Sequence, residues 1–142
     1  MVENAKYLAN YMKRLISVAV ILSLVFLICS CSKVTVSAND DVFLTFIYGD
    51  ENISVALEAH EAEKIIDIID GSEYDPFYSG IPSCGFDKNV SLKVGDRVFA
   101  IALDTCNVIQ NLGNLRFFSV SDEDMEYIHS LFRKYGGYFP CI

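Results

Sequence analysis

Val90-Ser-Leu-Lys-Val94, Gly95-Asp96, Arg97-Val-Phe-Ala-Ile-Ala-Leu103 is the stretch that decides the fold. Two apolar, β-branched runs flank a Gly-Asp pair, which reads as a tight hairpin. A second hairpin lies upstream. Val42 to Tyr48 is rich in aromatic and β-branched residues, Gly49-Asp-Glu-Asn52 is a turn cluster, and Ile53 to Leu57 is the returning strand. A helix over Ala59 to Ile69 is predicted next. Ala62, Ile65, Ile66 and Ile69 fall at helical spacing on one face, Glu61 and Glu63 suit the positive end of the helix dipole, and Gly71 is a natural stop.

Downstream, Leu115 to Val120 reads as a further strand. Ser121 then forms an N-cap with Asp124 three residues on, and Val120 and Met125 are placed for a hydrophobic staple. Met125, Ile128, Leu131, Phe132 and Tyr135 make the buried stripe, with Arg133 and Lys134 in the last turn and Gly136 as its end. The order is ββα, loop, βββα. The expected class is α+β, an antiparallel sheet of about five strands with two helices on one face. Residues 42–142 are expected to form this single domain, with 32–41 as a polar tether.

The first thirty or so residues are of another kind. Met12-Lys13-Arg14 is followed by an uncharged apolar run from Leu15 to Ile28. A basic start and an apolar stretch of this length predict a signal peptide within residues 1–31, with Met12 as the expected working start. The run is shorter than the roughly 20 residues a spanning helix needs. Ile28-Cys29-Ser30-Cys31 resembles a bacterial lipobox, with an aliphatic residue three positions before the acceptor thiol and small residues between. The resemblance covers this leader alone. It implies lipid on Cys31, membrane attachment through that lipid, and an extracytoplasmic domain in the cell envelope. Two other readings stay open: cleavage after Val36-Ser37-Ala38 would release a secreted protein, and an uncharged Leu15 to Ser32 would serve as an uncleaved anchor.

Charge narrows the choice of partner. Eleven Lys and Arg against nineteen Asp and Glu give −8 overall. Lys6, Lys13, Arg14 and Glu3 lie before Cys31, so 8 − 18 leaves the remainder at −10. Such a surface repels phosphate backbones, and nucleic acid is not an expected partner.

The extracytoplasmic reading permits disulfides. With Cys31 lipidated, Cys84, Cys106 and Cys141 remain. A two-residue turn at Gly95-Asp96 sets Cys106 opposite Gly85, so one bulge would bring Cys84 and Cys106 into bonding range; a bridge to Cys141 is the alternative. The bridge is expected to be structural, because the domain has no Cys-x-x-Cys pair.

Residues 71–86 contain Pro76, Pro82 and several aromatic rings in one long irregular stretch. Loops of this length in small domains are often functional. Tyr74, Phe77, Tyr78 and Phe86 are therefore candidate binding anchors, unless they only complete the core. Chemistry is otherwise sparse. His60 and His129 are isolated, no metal-ligand spacing appears, and phosphate loops and nucleophile elbows are absent. Asp104-Thr105-Cys106 sets a carboxylate beside a thiol without a local base. No catalytic residue, cofactor or metal is expected. The sequence favours a non-enzymatic binding or interaction module over a small hydrolase or thiol enzyme, or an inhibitor or immunity-type protein.

Overall fold

The computed structural model describes residues 33–76, 78 and 85–139, together with Met12, Arg14 and residues 16–18 near the N-terminus. The chain divides into two units, Met1–Ser32 and Lys33–Ile142. The described residues of the first unit are helical. Among the described residues, no helix is long and apolar enough to cross a membrane.

The domain is α+β. Its elements are β1 (Val42–Tyr48), β2 (Glu51–Ala56), α1 (Ala59–Ile69), β3 (Phe86–Val94), β4 (Arg97–Ala102), β5 (Val108–Asn111), β6 (Arg116–Ser119) and α2 (Asp122–Gly136). The strands form one antiparallel sheet in the order β2-β1-β3-β4-β5-β6. This sheet has six strands, not the five expected. The addition is β5, whose Val-Ile-Gln-Asn is too short and too polar at its end to carry an alternation signal. The first hairpin is also tighter than the turn cluster suggested. Tyr48 pairs directly with Glu51, and Gly49 takes a left-handed conformation at φ 62°.

Register assigns each strand residue to a face. Leu44, Leu92 and Phe99 lie across from one another, as do Ile101, Ile109 and Phe118. All six are 0% exposed. They join Ile65, Ile66, Ile68 and Ile69 of α1 and Met125, Ile128, Leu131 and Phe132 of α2 in one core. A buried Leu, Ile or Phe is worth about 1.5–3 kcal/mol, so this layer is the main source of stability. The α2 N-cap is Ser121, whose Oγ accepts from Asp124 N at 3.1 Å. Gly136 is the last helical residue, and Gly137 makes the left-handed cap at φ 90°.

Residues 33–41 lie against the domain rather than standing off it. Val34 is 1% exposed and belongs to the core. Its N–H donates to Ser72 O at 2.8 Å, its carbonyl accepts from Gly71 N at 2.9 Å, and Val36 N donates to Asp70 Oδ1 at 3.0 Å.

Candidate functional site

The face of the sheet opposite the core carries the second set of strand side chains. Two local features fill it with aromatic rings. In β6, Arg116-Phe-Phe-Ser119 alternates, so Phe118 enters the core while Phe117 points the other way. In β3, the ladder Ser91–Val94 follows the register expected of the Gly95-Asp96 turn, but Phe86 pairs with Ala102 where simple continuation would place Asn89. The intervening bulge is held by its own polar side chains. Asp87 Oδ1 accepts from Asn89 N at 2.8 Å, and Ser91 Oγ donates to Lys88 O at 2.8 Å. The bulge moves Phe86 to the face that Phe117 occupies.

Phe117 is the centre of this cluster. Its ring lies 4.8 Å from that of Tyr78 and 5.5 Å from that of Phe86, both tilted. The three rings are half-buried, and on the same face Ala100 and Ala102 are fully buried. Small alanines on the strand leave room for rings to lie over it. Burial, followed by the nearby Cys106 and Asp104, raises the Tyr78 hydroxyl above its ordinary pKa. Phe43, Ile47 and Val98 continue the face as half-buried apolar residues.

Tyr74 goes elsewhere. It is 6% exposed, and its hydroxyl accepts from Asn111 Nδ2 at 2.7 Å. It packs edge-on to Phe118 at 6.0 Å, under the Arg116 guanidinium at 4.4 Å. Tyr74 thus works as packing in the core layer, while Tyr78 and Phe86 meet on the outer face. Phe77, Cys31, Cys84 and Cys141 lie outside the described residues. Phe117 was not among the sequence candidates. Its signal was the doubled Phe in a short strand, which must present one ring to each face.

Cys106 sits beyond β4 beside Asp104, whose Oδ1 accepts the Cys106 N–H at 2.9 Å and whose Oδ2 accepts from the thiol at 3.4 Å. Among the described residues, no group of three or more His, Cys, Asp or Glu is arranged to hold a metal.

A polar cluster joins the two helices. Glu61 is 3% exposed, and its carboxylate accepts from Glu58 N at 3.1 Å, Tyr135 Oη at 2.7 Å and Lys134 Nζ at 2.8 Å. Burial pushes this carboxyl up, but the bonds from Lys134, Tyr135 and the Glu58 backbone outweigh it and hold the group below its ordinary range. Bonds to the Glu61 and Glu58 carboxylates and to Tyr135 raise Lys134, and the Glu61 bond followed by burial raises the Tyr135 hydroxyl. Lys64 Nζ and Asp124 Oδ1 add an exposed pair at 3.4 Å.

No family model matches the chain, and neither a curated protein nor a solved structure is significantly similar to it.

Proposed function

We propose that the chain is a cell-envelope lipoprotein, attached to the membrane by lipid on Cys31, whose acidic domain is a non-enzymatic binding module. The Phe117, Tyr78 and Phe86 cluster on the outer face of the sheet carries this reading. Rings placed together outside the core supply contact area at little conformational cost, and such residues dominate binding surfaces. The lipobox-like Ile28-Cys29-Ser30-Cys31 supports the address, and the excess of acid over base argues against a nucleic-acid ligand. A bridge between Cys84 and Cys106 belongs to the same proposal, as a staple for the loop that carries Tyr78, although the β3 bulge sets Gly85 against Leu103 (Leu103 N to Gly85 O, 3.2 Å) and not against Cys106.

Photo-crosslinking side chains placed singly at Tyr78 and Phe117 in the anchored protein test the surface. Discrete adducts are expected from both positions and none from the exposed Glu123 at the start of α2. Adducts from Glu123 alone, or equally from all three, would remove the aromatic face as the binding surface.

A further inference from the structure

The edge strand β2 and the groove at its C-terminal end form a second surface, remote in chemistry from the aromatic face. Leu57 N donates to Val42 O at 2.9 Å, so the antiparallel alternation turns the backbone groups of Val55 and Ile53 toward β1. Those of Asn52, Ser54 and Ala56 therefore point away from the sheet, and all three residues are exposed. The opposite edge differs. Asp75 N donates to Phe117 O at 2.8 Å and occupies part of β6.

At Ala56 the β2 edge opens into a groove of about 540 Å³ between residues 38–43 and α1. Leu57, Ala62 and Ile66 give it an apolar floor, and Asp40, Asp41, Glu63 and Asp67 line it with carboxylates. Among the described residues, no Lys, Arg or His lines it. Among the described residues, none of these four acids is in an ion pair, although Lys33, Lys64, Arg133 and Lys134 all pair with acids elsewhere.

We propose that the β2 edge and this groove receive an extended, lysine- or arginine-bearing segment of a partner protein, added as a seventh strand. Outward backbone groups supply the ladder, as in other cases of strand addition, and the unneutralised acids select for cations. Opposite charge also speeds encounter. A second copy of the chain fits less well, because two domains at −10 each would bring like charges together.

The test uses the membrane-extracted protein in neutral detergent, with a synthetic octapeptide alternating Lys and Val and its Glu-Val counterpart. The Lys peptide is expected to bind, to protect the Asn52, Ser54 and Ala56 amides from hydrogen exchange, and to weaken about tenfold between about 50 and 500 mM salt. A D41N/E63Q/D67N variant is expected to lose at least about tenfold in affinity. Ser54→Pro removes an outward N–H from an edge strand that tolerates proline, and should abolish protection while the thermal transition persists. Equal binding of both peptides, unchanged affinity in the triple variant, or β2 protection arising from dimers without peptide would each overturn the proposal. None of these readouts involves Tyr78 or Phe117, so failure here leaves the aromatic face untouched.

Discussion

The Tyr135 hydroxyl donates to Glu61 Oε2 at 2.7 Å, tying the last turn of α2 to the first turn of α1. The bond anchors a carboxylate that is almost wholly removed from water. An ionised group in that position is tolerated only when its oxygens are fully partnered, and breaking one partner costs more than the bond itself contributes.

Tyr135→Phe is therefore expected to destabilise the domain by about 1.5–3 kcal/mol, the range for bonds to charged groups. Glu61→Gln should cost a similar amount, because it weakens the contacts to both Tyr135 and Lys134. Urea unfolding checks this. The double variant should cost less than the two single changes added together, since both remove the same contact. Strict additivity would show that Tyr135 and Glu61 act independently.

His129 sets the pH dependence near neutrality. Its ring stacks on Phe139 at 3.9 Å, and Nε2 is buried with no hydrogen-bond partner among the described residues. Burial lowers its pKa from 6.5, with Glu126 opposing and Arg133 reinforcing the shift. The unfolded chain then takes up a proton before the folded one does, so stability is present above pH 6.5 and falls as pH drops through the lower folded value. Glu61 acts in the same direction further down, its stabilisation lost as pH falls below 4.5. The urea midpoint should decline between about pH 7.5 and 5 in the native protein, and His129→Gln should flatten that decline. An identical decline in the variant would assign it to other groups.

Leu115 is the described non-glycine residue at positive φ, 56°, and its side chain is 66% exposed. A leucine held in the left-handed region costs about 1–2 kcal/mol, and no burial here offsets that cost. Leu115→Gly should stabilise the β5–β6 turn by about 0.5–1 kcal/mol net of the added chain entropy. A raised thermal midpoint checks it; a lowered one would mean that the leucine side chain contributes packing.

Gly95 works in the opposite sense. It has φ 56°, and an added Cβ would sit 2.9 Å from Asp40 Cγ. Gly95→Ala should destabilise the central hairpin by more than about 1 kcal/mol, seen as a lower urea midpoint with an unchanged slope. No loss would show that Asp40 moves aside freely.

The fold was readable wherever one periodicity ran long enough to exceed local noise. The two hairpins around Gly49 and Gly95 and both helices announced themselves through alternation, turn residues and apolar stripes. β5 did not, because four residues give only two per face. The Phe86 bulge was hidden for another reason: register past a hairpin turn cannot be extrapolated once Asp87 and Ser91 bond to their own backbone. The aromatic site was half legible. Tyr78 and Phe86 stood out in an unusual loop, but Tyr74 in that loop is drawn inward by Asn111, a buried polar partner that only tertiary structure brings within reach. Glu61 was read as a helix-dipole acid. Its burial depends on Tyr135 and Lys134, more than seventy residues away.

The proposed attachment of the domain to a membrane through one thiol is tested most directly by the intact mass of the protein extracted from membranes, taken before and after reduction. The account predicts a chain that begins at Cys31, carries the mass of acyl groups, and gains two hydrogens on reduction. An unmodified chain that begins at Asn39, or one that keeps its leader, would contradict it.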